Sequence, residues 1–159
     1  PAGETERDFR APVSDKQEIR RMLFAGFGKC LYRVQKFDSD TERRFAVILE
    51  NDKDALKWFK PARGDFQIHY ASDASYEPDF VVETKTAKFL CEPKAATDMT
   101  DEDVQAKARA AVEWCAHATA HGGKPWTYLL IPHDAIADNK TLQGLASTYA
   151  YHARFSPKR

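Results

Sequence analysis

Residues 76–94 read YEPDFVVETKTAKFLCEPK. Two short apolar runs, Phe80 to Val82 and Phe89 to Cys91, are each flanked by polar residues, so the stretch predicts one strand over Asp79 to Thr84 and a second over Lys88 to Lys94. The residues between them leave room only for a tight turn, so the strands should pair as an antiparallel hairpin. With Thr86 and Ala87 as the turn, Lys85 faces Lys88, which sets Asp79 opposite Lys94 and Val81 opposite Glu92. Directly opposed residues share a face of the sheet, as do residues two apart on one strand, so Asp79, Glu92 and Lys94 converge near one end of the hairpin. This convergence requires an even-numbered loop, because a slip of one residue would send one strand's side chains to the other face.

Working outward, Phe66, Ile68 and Tyr70 alternate with polar residues and predict a further strand before the hairpin. Asp40 or Thr41 can cap a helix whose inner face carries Phe45, Ile48 and Leu49 and which begins with Glu42, Arg43 and Arg44. Ser14 with Gln17 makes a capping-box pattern ahead of a first helix over about 15 to 24, with Ile19, Met22 and Leu23 on one face. Gly28 to Val34 fits either a strand or an extended connection. Beyond the hairpin, Thr100 and Asp103 should cap a long helix with Val104, Ala108, Ala111, Val112 and Cys115 inward and Gly122 as its stop. Trp126 to Ile131 is a buried strand ended by Pro132, and Leu142, Leu145 and Tyr149 mark a closing helix. The expected fold is α/β, with a central mixed sheet flanked by helices. Residues 1–13 are polar, contain proline and read as linker-like; 14–159 read as one domain, a fragment of a larger protein.

The converging side chains suit one chemistry. Phosphodiester hydrolysis near neutral pH calls for a hard cation that makes water nucleophilic and offsets developing negative charge. Magnesium is often held by only one or two carboxylates plus waters and substrate phosphate, and a neighbouring lysine adds a fixed positive charge and a proton-transfer group. Pro78-Asp79 followed by Glu92-Pro93-Lys94 resembles the PD…(D/E)xK motif of the restriction-endonuclease-like superfamily, and the element order from about residue 40 to 132 resembles its αβββαβ core. Glu42 with Phe45-Ala46, Tyr76 to Phe80, and Lys107 with Trp114-Cys115 resemble the carboxy-terminal nuclease domain of the restriction subunit of type III restriction enzymes. The resemblance implies a metal-dependent endonuclease acting on double-stranded DNA, with Mg2+ (Mn2+ substituting) held by Asp79, Glu92 and the Pro93 carbonyl. It further implies that Lys94 orients or activates water and that Glu42 is an additional acidic residue from the helix. It also implies an ATP-driven helicase or translocase domain in the parent chain, a modification subunit as a possible partner, and a cytoplasmic setting. Two features depart from the pattern. Pro93 cannot donate to a sheet ladder, which suggests that pairing stops or bulges there. Glu83-Thr84-Lys85 is a competing ExK, but it lies roughly 13 Å along the strand from Asp79 and cannot share its metal.

Blander readings stand beside these. Glu42 also suits a helix amino terminus through its charge, and Gln105 suits either a polar position near the site or a solvated helix face. His117 and His121 are spaced for zinc but lack further ligands and fit the last turn of a helix. Gly26-Phe27-Gly28-Lys29 lacks the spacing of a phosphate loop. Trp58, Phe59, Trp114 and Trp126 read as core or interface aromatics, and His69 and Tyr70 carry no assignment. Three cysteines without a CxxC pair argue against a disulfide framework or zinc ribbon. Equal numbers of basic and acidic residues, 24 each, exclude a protein that holds nucleic acid by net charge alone. No run approaches the roughly 18 apolar residues of a membrane span. The same residues admit a second class, a catalytically inactive nuclease-fold module for DNA binding or subunit assembly, and a third, a protein-interaction domain.

Overall fold

The computed structural model describes residues 5–151. In chain order the strands and helices are β1 (Glu6–Asp8), β2 (Leu23–Ala25), α1 (Asp40–Asn51), β3 (Ala55–Phe59), β4 (Ile68–Ala71), β5 (Ala74–Tyr76), β6 (Phe80–Thr84), β7 (Lys88–Lys94), α2 (Glu102–Ala120), β8 (Trp126–Pro132) and α3 (Leu142–Tyr149). The fold is mixed α/β. Its central sheet has the order β3-β6-β7-β8, antiparallel except for the parallel pair β7 and β8. The long α2 supplies the crossover that a parallel pair requires.

Strand alternation divides the core in two. Phe80, Val82, Phe89, Cys91, Leu129 and Ile131 face α1 and α3, where Phe45, Ile48, Leu49, Leu142 and Leu145 bury against them. Val81, Leu90, Tyr128 and Leu130 face α2, where Ala108, Ala111 and Cys115 pack. Each large apolar side chain buried this way contributes about 2 kcal/mol of transfer free energy, so the sheet is sealed on both faces. Small residues on α2 let its axis approach the sheet closely, and Gly122 (φ 99°) follows its end.

Several local readings change. The N-cap of α1 is Ser39, whose hydroxyl accepts from the Glu42 amide at 3.2 Å, one or two residues ahead of the Asp40 or Thr41 expected. α2 starts after Asp101 with no side-chain cap, so Thr100 plays no capping part. The first helix shrinks to a 3-10 turn, Lys16–Arg21, and Leu23 belongs to β2. Residues 5–13, read as linker-like, are built into the fold: β1 pairs parallel with β2, and Phe9 and Val13 are buried. One buried aromatic outweighs the polar composition around it. Residues 1–4 of that segment and 152–159 at the other end lie outside the described residues. Gly28 to Val34 is an extended connection whose backbone joins the sheet edge through the Cys30–Trp58 bridge.

The strand around Phe66 to Tyr70 forms not in the central sheet but as β4, half of a separate hairpin with β5 that lies over the α2 face. Its expected place next to the site hairpin is taken by β3.

Candidate active site

The β6–β7 hairpin turns one residue earlier than Lys85 facing Lys88 would require, shifting the register by two: Glu83 is the residue opposite Lys88, and Phe80 is opposite Cys91. The reason is local. Thr84 turns its hydroxyl into the loop, accepting from the Thr86 and Ala87 amides at 3.3 and 3.0 Å and donating to the Ala87 carbonyl at 3.1 Å. A shift of two preserves the faces. Extending the pairing one step past Phe80 and Cys91 sets Asp79 opposite Glu92, with Lys94 two residues further along the same face. The pairing of β6 stops short of Pro93, while β7 stays paired with β8 through Lys94, so the proline sits where one flank of the ladder has ended.

Glu92 is buried, and its Oε2 has no hydrogen-bond partner among the described residues. The Tyr128 hydroxyl, also buried, is likewise unpartnered; Tyr76 and Tyr128 lie beside the carboxylate and favour its charge only weakly. Burial first, then the negative charge of Asp79, push the Glu92 carboxyl up to about 8, against an opposing pull from Lys94. Asp79 lines a cleft and is partly exposed. Burial and the Glu42 charge raise its carboxyl to about 6, offset by Lys60 and Lys94. Thus Asp79, Glu92 and Lys94 act on one another, and the two carboxyls titrate as a pair.

Glu42 joins from α1. Its Oε1 accepts from the Asp38 amide at 3.0 Å and from Lys60 Nζ at 3.0 Å. The first contact is helix capping and the second an ion pair, so both readings of Glu42 have a physical basis. Lys60 is only 11% exposed; it also donates to the Asp79 carbonyl at 3.1 Å and lies 4.6 Å over the Phe80 ring. It therefore ties the helix to the strand entrance and is a positioning residue that sequence reading missed. Nothing in its neighbourhood marked it. Tyr128 was legible in principle, since it sits on β8 opposite Leu90 and thus on the Glu92 face. His133, just beyond β8, is held below its usual range by burial and also feels Glu42 and Lys94.

The remaining candidates fall elsewhere. Glu83 pairs with Lys124 at 2.7 Å at the turn end of the hairpin, and Lys85 is exposed. Gln105 donates to the Met99 carbonyl at 2.6 Å and accepts from the Tyr151 hydroxyl, so its amide is taken up by protein. His121 Nδ1 lies 2.8 Å from the His117 carbonyl in the turn that ends α2. The Gly28 and Lys29 amides donate to Glu50 at 2.7 and 2.9 Å, so this segment binds the chain's own carboxylate in place of a phosphate. His69 is exposed on the small hairpin.

Among the described residues no group of three or more His, Cys, Asp or Glu side chains is gathered as a metal cage. Two carboxylates and a peptide carbonyl are a smaller donor set, of the kind that suffices for magnesium. Charge chemistry fits a cation: the Asp79 and Glu92 carboxyls repel each other, and a buried oxygen of Glu92 is unpartnered. No helix among the described residues is long and apolar enough to cross a membrane. No protein-family model matches the chain, and no curated protein matches it.

Proposed function

We propose that this chain is a metal-dependent nuclease domain that hydrolyses DNA phosphodiester bonds, with the PD-(D/E)xK arrangement of restriction-endonuclease-like enzymes. The observation that carries the reading is the meeting of Asp79, Glu92 and Lys94 at one end of the β6–β7 hairpin, with the two carboxyls raised by burial and like charge. The order α1, β3, β6, β7, α2, β8, with all four strands in one sheet, supports an αβββαβ core.

In this reading Asp79, Glu92 and the Pro93 carbonyl hold Mg2+ or Mn2+, which lowers the pKa of water and offsets charge on the phosphoryl group. Lys94 orients the attacking water and keeps positive charge beside the phosphate. Glu42, through Lys60, fixes the backbone at Asp79 and adds negative charge to the metal side of the cleft. Double-stranded DNA is the polymer recognised. The neutral net charge fits a domain whose DNA contact is supplied by a linked ATP-driven motor and a modification subunit, in a type III restriction-like cytoplasmic assembly.

Nicking of supercoiled plasmid with Mg2+ or Mn2+ tests the proposal. Asp79→Ala and Lys94→Ala should each lower the rate at least about 100-fold, as removal of a transition-state contact does. Variants that nick as fast as the parent would end the catalytic assignment.

A further inference from the structure

The cleft that contains Asp79 has a volume of about 560 Å3. It lies within the range of about 300–1,000 Å3 typical of small-ligand sites, room for a single nucleotide. Its lining is divided. Asp79 and Lys60 belong to the candidate site, Lys36 brings a second positive charge, and Tyr32, Val34 and Pro61 supply apolar surface.

Tyr32 stands out on that wall. Leu31 and Tyr32 are 56% and 43% exposed, two of the three large hydrophobic side chains left open to solvent among the described residues. The loop that carries Tyr32 is not loose. Leu31 donates to the Trp58 carbonyl at 3.0 Å, Trp58 to the Lys29 carbonyl at 3.1 Å, and the Gly28 and Lys29 amides to Glu50. The ring is steadied by Phe59, edge-on at 6.3 Å, and its hydroxyl points to Asp65 Oδ2 at 3.3 Å. A tethered, solvent-exposed aromatic beside lysines and a hydrolytic centre is the combination that binds unpaired bases, because every base offers a π face. Electrostatics favour a strand that arrives with a cation. Lys36 and Lys60 share the lining with Asp38, Glu77 and Asp79, a balance that repels a bare phosphate and accepts one together with a divalent ion.

We infer that the cleft takes an unpaired nucleotide next to the bond to be cut, its base stacked on Tyr32, so that the duplex is locally opened where it is cleaved. The inference rests on the nuclease reading and narrows its substrate.

Binding of a labelled oligothymidine of about twelve nucleotides, and of a duplex of equal length, followed by anisotropy with Ca2+ replacing Mg2+, tests it. Tyr32→Ala should weaken the single strand roughly 10-fold and Tyr32→Phe should not, with duplex affinity unchanged in both. Equal single-strand affinity for the parent and Tyr32→Ala, or an equal loss on the duplex, would overturn it. Plasmid nicking in parallel separates the two claims. Nicking that is lost in Asp79→Ala, with Tyr32→Ala inert on the oligothymidine, removes only the stacking role. A Tyr32 effect in a parent that nicks no faster than Asp79→Ala removes the substrate assignment and leaves a single-strand binding surface.

Discussion

Glu92 and Asp79 each occupy a position that a stability-optimised protein would fill with a neutral side chain. Both carboxyls bind a proton more tightly in the fold than in the unfolded chain, because burial and mutual repulsion disfavour their charges. The sign of the linkage follows. Between the ordinary carboxylate range near 4.5 and the raised value of about 8 for Glu92, the native state carries the extra proton, so stability is full at the acidic end and falls as pH rises through that window. In metal-free buffer the melting temperature should therefore drop between pH 5 and pH 8. Glu92→Gln should remove most of that drop, leaving the variant on the order of 2 kcal/mol more stable than the parent at pH 8 and nearly equal at pH 5. Parallel pH profiles for the two proteins would contradict the assigned coupling. At this scale the shared face of the two acids and Lys94 was legible in the sequence, and the place of Lys60 was not. A lysine after an aromatic strand looks solvated until the fold buries it between Glu42 and the Asp79 carbonyl.

The hairpin is the element on which convergence depends. Which side chains share a face was legible, because the alternation of Phe80, Val81 and Val82 with their partners is locked by two sealed faces. The pairing itself was not, because a side-chain hydroxyl chose the turn. Thr84→Val keeps the shape but deprives two loop amides of their acceptor, and should cost about 1–2 kcal/mol in chemical denaturation, with Thr84→Ser retaining most of the stability. An unchanged midpoint in Thr84→Val would show that the turn does not depend on the hydroxyl. β3 was invisible for a different reason. Its pairing with β6 shifts between Ala55 and Lys57, and this irregularity erases the period of two. Phe66 to Tyr70 showed the opposite failure: alternation marked a half-buried strand but carried no information about which sheet would receive it.

Across the whole molecule, a two-faced sheet carries its polar end beside a cleft lined in part by the residues that lead into β6, Glu77, Pro78 and Asp79. The α/β class and the sheet flanked by helices were readable from periodicity. The incorporation of β1, Phe9 and Val13 was not, since burial of a few apolar residues within a polar segment is a tertiary event. The proposed nuclease chemistry requires that the Asp79 and Glu92 carboxyls form one cation pocket. The most direct measurement is thermal melting at pH 8 with saturating Mn2+, for the parent and for Asp79→Asn and Glu92→Gln. An ion at about 100 times its Kd stabilises by about 2.7 kcal/mol, so the parent should gain roughly 5–10 °C, and neither variant should gain more than about 2 °C. A parent that does not respond, or variants that gain as much as the parent, would contradict it.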